Sequence, residues 1–110
     1  MAKFIFQDLK IWQLSIQIAD ELEQKKLYRF ADQLRGAGMS MSNNIAEGSG
    51  SSSKREFKQY LNMARRSTFE NANILILLQK RNLITNESLE KLIDKLDHLC
   101  RQITNFQNSL

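Results

Sequence analysis

Apolar residues recur at steps of three and four along almost the whole chain, the spacing of one face of an α-helix. Four segments carry the pattern: residues 9–25, about 30–47, about 53–81, and 86 to the end. Asp8 is a plausible N-cap for the first and Thr85 or Asn86 begins the last. Because the connections are short and strand patterns are missing, the sequence predicts an all-α fold: one domain, residues 1–110, folded as an antiparallel up-and-down four-helix bundle.

The third and fourth segments carry the clearest helix signals. Ser53 and Glu56 form a capping-box pattern at the start of the third. The apolar positions of the fourth are Leu89, Leu92, Leu96, Leu99, Ile103, Phe106 and Leu110. This heptad seam predicts packing against near-parallel neighbours.

The second segment has a helical pattern but a composition that opposes helix formation. Its apolar positions are Phe30, Leu34, Ala37, Met41 and Ile45. Between them lie Gly36, Gly38, Ser40, Ser42, Asn43 and Asn44. These residues penalise an isolated helix by about 4 kcal/mol. We therefore expect close packing against neighbours to hold this helix, and we expect Gly48 to lie just past its end.

The third segment contains five consecutive apolar residues, 74–78, which at 100° per residue cover every side of a helix. Some of them must face outward in a lone bundle. We predict a homo-oligomer with Ile74, Ile76 and Leu77 at the interface, because exposed apolar patches usually mark contact surfaces. The alternative is that this helix is simply the most buried one.

Composition limits the class of protein. The chain has 110 residues, 42% apolar and 25% charged, and it has no run long enough to span a membrane. Its first residues lack the features of a signal peptide, so we expect a cytoplasmic protein without a membrane partner. The single cysteine, Cys100, excludes an internal disulfide and agrees with a reducing compartment.

The net charge of +4 is concentrated in the third segment, which has seven basic and two acidic residues. The basic ones are Lys54, Arg55, Lys58, Arg65, Arg66, Lys80 and Arg81. Most of them fall on one side of a helical wheel, which predicts a basic stripe that binds the phosphates of RNA or DNA. With no base-reading motif, little sequence selectivity is expected. Ordinary solubilising charges are one alternative. A protein-interaction module that docks an acidic partner protein is another.

The sequence offers no constellation typical of an enzyme. His98 and Cys100 lie about 200° apart on a helix, so they cannot converge on one metal ion. Glu56 and Glu70 are about 20 Å apart by helical rise, too far for a catalytic carboxylate pair. We therefore predict no catalytic residues, no metal site and no cofactor.

Glu47 lies in the last turn of its helix, where the macrodipole disfavours negative charge. This predicts a cationic partner, chosen from Arg35, Arg65 and Arg66. Asn44, one turn earlier, is predicted to extend a polar network toward Ser67 and Glu70 on the third helix.

Several of these residues form motifs. They are Phe6-x-Asp8-Leu9-x-Ile11-Trp12-Gln13, Gln33-Leu34-Arg35, the run from Asn44 to Gly50, and Glu56-Phe57 through Ala64-Arg65-x-Ser67 and Glu70. Together they resemble the four-helix-bundle family of bacterial intervening-sequence proteins, encoded within insertions in large-subunit ribosomal RNA genes. The accessory variability protein of diversity-generating retroelements is similar.

The resemblance implies a ring-like homopentamer without enzymatic activity, whose basic surface engages RNA or DNA and, in the retroelement branch, a reverse transcriptase. The matching motif and polar positions are Arg35, Asn44, Glu47, Gly48, Ser67 and Glu70. Three positions depart from the family pattern: Gly36 replaces an Arg, Ser42 a Pro and Ala72 a Glu.

Overall fold

The computed structural model describes all 110 residues, and four α-helices make up most of the chain. They are α1 (Lys10–Gln24), α2 (Asp32–Ser49), α3 (Lys54–Lys80) and α4 (Asn86–Ser109). Two short 3₁₀ helices, Ile5–Asp8 and Leu27–Arg29, precede α1 and α2, and there is no strand. The four predicted segments and the all-α class are therefore confirmed. None of the helices combines the length and the hydropathy needed to cross a membrane.

The helices form a four-helix bundle in which each packs on its neighbours in sequence and α4 packs on α1, whereas neither α1 and α3 nor α2 and α4 bring Cα atoms within 8 Å of each other. Only residues 50–53 connect α2 to α3, a span of at most about 14 Å. The 27 residues of α3 extend about 40 Å. Because the two helices nevertheless pack along each other, the chain must reverse between them, as in an up-and-down bundle.

The core consists of 18 buried apolar residues, drawn from all four helices and the second 3₁₀ helix. Leu22 of α1, Ile45 of α2, Leu75 of α3 and Leu99 of α4 have no exposed surface. The heptad seam of α4 supplies Leu92, Leu96, Leu99 and Ile103 to this core, whereas Leu89, Phe106 and Leu110 pack at its edge. The seam is therefore confirmed, with its ends less buried than its middle.

The glycine-rich segment is α-helical, as predicted, but Gly48 does not lie past the end of α2. It lies inside the last turn and is buried, and the C-cap is Gly50. The physical reason is contact with α3: a Cβ at residue 48 would stand 2.8 Å from the Phe57 ring. Gly38 has a similar role toward the second 3₁₀ helix, because a Cβ there would meet the Tyr28 hydroxyl at 3.2 Å.

Hydroxyl side chains cap the two long helices. Ser53 Oγ accepts the Glu56 N–H at 3.1 Å, and Thr85 Oγ1 accepts the Ser88 N–H at 3.1 Å. The prediction that Asp8 caps α1 is wrong: the N-cap is Leu9. The residues before α1 wind into a 3₁₀ helix, which places Asp8 beside Lys3 with Nζ and Oδ1 2.6 Å apart.

Candidate nucleic-acid interface

The outer face of α3 is basic in its N-terminal half. Lys54, Arg55 and Lys58 are exposed and, together with Gln59 and Asn62, line an open concavity of about 550 Å³ without an apolar side chain. Polar groups thus surround three closely spaced cations. Such a surface can hold an anion without burying any charge.

Two more cations extend this surface toward the middle of α3. Arg65 is half-buried, and its Nη1 donates to Thr104 Oγ1 of α4 at 3.3 Å. Arg66 is exposed on the side of α3 that faces α2. We call the set Lys54, Arg55, Lys58, Arg65 and Arg66 the basic surface. Residues 54–66 span about 18 Å of helix.

The remaining two predicted phosphate-binding residues lie apart from the basic surface. Lys80 ends α3 and Arg81 is its C-cap. Both are exposed, about 21 Å beyond Arg66 along the helix. The predicted stripe is therefore two groups, one at each end of α3, rather than one continuous row.

None of the seven basic residues of α3 and its C-cap has a carboxylate oxygen within 4.0 Å. The five ion pairs of the protein instead use Lys3, Lys25, Lys91, Lys95 and Arg101. Charges on the other helices are thus partly neutralised within the protein. Those on α3 remain available to an external anion.

The end of α3 that carries the basic surface is braced by α4. The Phe57 and Phe106 rings make an edge-to-face contact with centroids 5.5 Å apart. Gln107 Nε2 donates to the Lys58 carbonyl oxygen at 2.9 Å. These contacts fix the backbone beneath the cations, so the backbone itself needs little ordering when a ligand binds.

A polar cleft of about 350 Å³ lies between α2 and α3, and we call it the α2–α3 cleft. It is lined by Ser40, Asn44, Met63, Arg66, Ser67 and Glu70. Asn44 Nδ2 donates to Ser40 Oγ at 3.0 Å, and Ser40 Oγ lies 2.8 Å from Ser67 Oγ. The predicted network from Asn44 to Ser67 therefore exists, with Ser40 as its unpredicted middle member. Glu70 lines the cleft but makes no hydrogen bond through its side chain.

The predicted cationic partner of Glu47 is absent. Glu47 is exposed and forms no ion pair. Arg35 lies about 18 Å away along α2, with its guanidinium carbon 5.4 Å from the centre of the Tyr28 ring. Arg65 instead bonds to Thr104. Gly48, not Glu47, is the residue of this turn that meets α3.

The C-terminal half of α3 presents apolar side chains to solvent. Ile76 and Leu77 are each 39% exposed, whereas Ile74 is 7% exposed and belongs to the protomer core. Phe69 is 67% exposed and also lines a small groove with Ala72 of α3 and residues of α4. Sequence reasoning missed Phe69. Its spacing of two turns from Ile76 is the signal that could have found it.

The residues considered for metal binding do not cluster. His98 is exposed and Cys100 is a half-buried free thiol. No group of three or more His, Cys, Asp or Glu side chains is placed to hold a metal ion.

Comparison with known proteins identifies a family for most of the chain. The model of one family, described as 23S rRNA-intervening sequence protein, matches residues 7–105. The match runs from the 3₁₀ helix before α1 almost to the end of α4, so it includes the whole basic surface and the α2–α3 cleft. Curated proteins give no significant match. The chain belongs to the 23S rRNA-intervening sequence protein family.

Proposed function

We propose that this protein is a non-enzymatic, oligomeric scaffold that binds nucleic acid through the basic surface of α3. The observation that carries the proposal is the lack of any ion pair among the seven basic residues of that helix and its cap, while five of the nine other Lys and Arg residues are paired. The family description makes RNA the first ligand to test.

The physical basis is counterion release. Each phosphate that a Lys or Arg neutralises frees a condensed cation, so affinity depends on the number of contacts and falls as salt rises. Five cations within about 18 Å of helix can contact several successive phosphates. Contacts of this kind select for backbone charge and shape rather than for sequence.

Self-association would multiply this surface. Phe69, Ile76 and Leu77 lie beyond the basic surface along α3 and leave 67%, 39% and 39% of their surfaces exposed to solvent. Burying them between copies removes apolar surface from water while the basic half of α3 stays free. We propose a homo-oligomer on this basis and a ring-like pentamer on the family resemblance.

The partner and the cell compartment follow from the same proposal. An RNA ligand agrees with the cytoplasmic location that we expect from the sequence. A reverse transcriptase, or another protein with an acidic face, is the alternative partner for the same cations. An acidic protein also binds more weakly as salt rises, so only a direct comparison of the two ligand classes separates these functions.

The test is binding of labelled structured RNA and duplex DNA, measured by fluorescence anisotropy at about 50 and 200 mM salt. With about five phosphate contacts, we expect affinity for duplex DNA to fall several-hundred-fold over this range. The double variant Lys54→Glu/Lys58→Glu should lose most of the binding. The matched control is Lys10→Glu/Lys91→Glu, which changes the net charge equally on α1 and α4 and should bind nearly as well.

Salt-independent affinity, or equal loss in both double variants, would contradict the assigned surface. A partner captured by the protein that stays bound after nuclease treatment, but is lost with Lys54→Glu/Lys58→Glu, would favour the acidic-protein alternative.

A further inference from the structure

Glu70 is the one acidic residue of α3 without a structural explanation. Glu56, the other acid, lies in the first turn, where the macrodipole favours negative charge and Ser53 caps its N–H. Glu70 lies mid-helix, is exposed, and has neither an ion pair nor a side-chain hydrogen bond. A carboxylate beside Arg66 repels phosphate. If the surface bound only phosphates, the Glu70 carboxylate would lower its affinity for them.

The α2–α3 cleft has a polar floor whose donors are already used. Asn44 Nδ2 donates to the Ser40 carbonyl at 2.8 Å and to Ser40 Oγ at 3.0 Å. Because Ser67 Oγ donates to the Met63 carbonyl at 3.0 Å, Ser40 must be the donor in its 2.8 Å bond to Ser67. Each hydroxyl proton on the floor is therefore committed.

The groups left to a ligand have a specific chemistry. Asn44 Oδ1 and the Glu70 carboxylate are acceptors, and the Arg66 guanidinium is a donor fork. Met63, which is 39% exposed, adds a flexible apolar contact at the cleft wall. A ligand that fits offers two adjacent N–H donors beside an acceptor edge, on a planar body.

We propose that the α2–α3 cleft binds an unpaired guanine base. Guanine presents N1–H and N2–H to the Glu70 carboxylate and its O6/N7 edge to Arg66, with Met63 against the ring. Adenine and cytosine place an acceptor where guanine has N1–H, and uracil flanks its single N–H with carbonyl oxygens. The carboxylate therefore selects guanine.

The position of the cleft connects it to the basic surface, and this inference rests on the proposed function. Arg66 belongs to both. A single strand held by Lys54, Lys58 and Arg65 continues along α3 to the cleft. The protein then combines sequence-independent backbone binding with recognition of one base.

The experiment uses the full chain and labelled oligonucleotides of about 12 nucleotides: an all-uridine RNA, the same RNA with one central guanosine, and the same with inosine. We expect the guanosine RNA to bind about tenfold tighter than the all-uridine RNA, as for a bidentate base contact. Inosine, which lacks the N2 amine, should lose most of this gain. Deoxy versions of the same oligonucleotides distinguish an RNA source of the base from a DNA source.

Glu70→Gln should abolish the preference for guanosine, yet bind the all-uridine RNA as well as or better than the original protein, because a negative charge is removed. Glu56→Gln is the matched control: it makes the same charge change on the same helix and should keep the preference.

Equal binding of uridine and guanosine RNAs by the original protein would overturn the guanine site but leave the proposed function standing. The guanine site would also be overturned if Glu56→Gln lost the preference for guanosine together with Glu70→Gln. If Glu70→Gln instead lowers the oligomer mass and leaves the preference intact, Glu70 pairs with a second copy and the guanine site is wrong. Failure to bind any oligonucleotide, structured RNA or duplex DNA would overturn both proposals.

Discussion

Gly48 of α2 lies so close to Tyr60 of α3 that a Cβ at residue 48 would stand 2.7 Å from the Tyr60 Cβ. Real Cβ atoms do not approach that closely without a backbone shift. The interface between α2 and α3, which this close approach permits, is the most extensive between any two helices of the bundle. Packing thus offsets the poor helix propensity of α2.

Gly48→Ala should therefore destabilise the protein by about 1–3 kcal/mol through overpacking. Gly36→Ala in the same helix is the control: nothing lies within 4 Å of its added Cβ, so it should stabilise by about 0.5–1 kcal/mol through helix propensity. Urea denaturation measures both. Equal effects of the two substitutions would show that propensity, not packing, governs α2.

Asn71 is fully buried, and its Nδ2 donates to the carbonyls of Ala37 and Ser67 at 2.9 and 2.7 Å. Its Oδ1 has no partner. Asn71→Asp replaces the donor with a charge beside two carbonyl oxygens and should cost at least about 3 kcal/mol at neutral pH. Asn71→Leu removes the unpaired oxygen and should cost less than about 1.5 kcal/mol. Chemical denaturation at pH 7 should give a lower free energy of unfolding for Asn71→Asp than for Asn71→Leu. The reverse order would contradict the role assigned to the buried amide.

Glu21 joins α1 to α4 through Lys95, with Oε2 and Nζ 2.6 Å apart, and also pairs with Lys25 at 3.4 Å. Burial acts to raise the pKa of the Glu21 carboxyl, but the two lysines outweigh it, so the pKa falls below its ordinary value of 4.5. A lowered folded-state pKa stabilises the protein above pH 4.5, and that contribution is lost as pH falls through the folded-state pKa.

Glu21→Gln should therefore lower stability by about 1 kcal/mol at pH 7, and the difference from the original protein should vanish in acid. Thermal melts of both proteins from pH 7 down to pH values below the folded-state pKa of Glu21 test the prediction. Glu23→Gln is the matched control, because it removes the same charge from an exposed position of the same helix without breaking an ion pair. A constant deficit for Glu21→Gln at every pH would exclude the ion pairs as its cause.

Ile76→Asp and Leu77→Asp test self-association. Each is 39% exposed in the protomer, so a charge is tolerated in the fold but is buried if copies pack there. Light scattering should give a multiple of the 12.8 kDa protomer mass for the original protein and a lower multiple for the variants. Asn105→Asp, an exposed charge on α4, should leave the mass unchanged. A monomeric original protein at micromolar concentration would contradict the oligomer.

Part of the candidate site could be predicted from the sequence, and part could not. The cations of α3 were found from composition along one helix, and the connection of Asn44 to Ser67 from their positions. Ser40 was missed as the residue between them, and a partner was wrongly expected for Glu47. These errors share a cause: a helical wheel gives the direction of a side chain but not the rotation of its helix against a neighbour.

The sequence by itself determined the four helices, the core seam of α4 and the basic character of α3, because each depends on periodicity or composition within one segment. Only the tertiary structure decided that Gly48 lies inside α2, that the α3 cations have no ion pairs, and that Arg66 and Glu70 share a cleft with Asn44. Those relationships depend on how two helices approach and rotate against each other, and packing of the whole bundle fixes both.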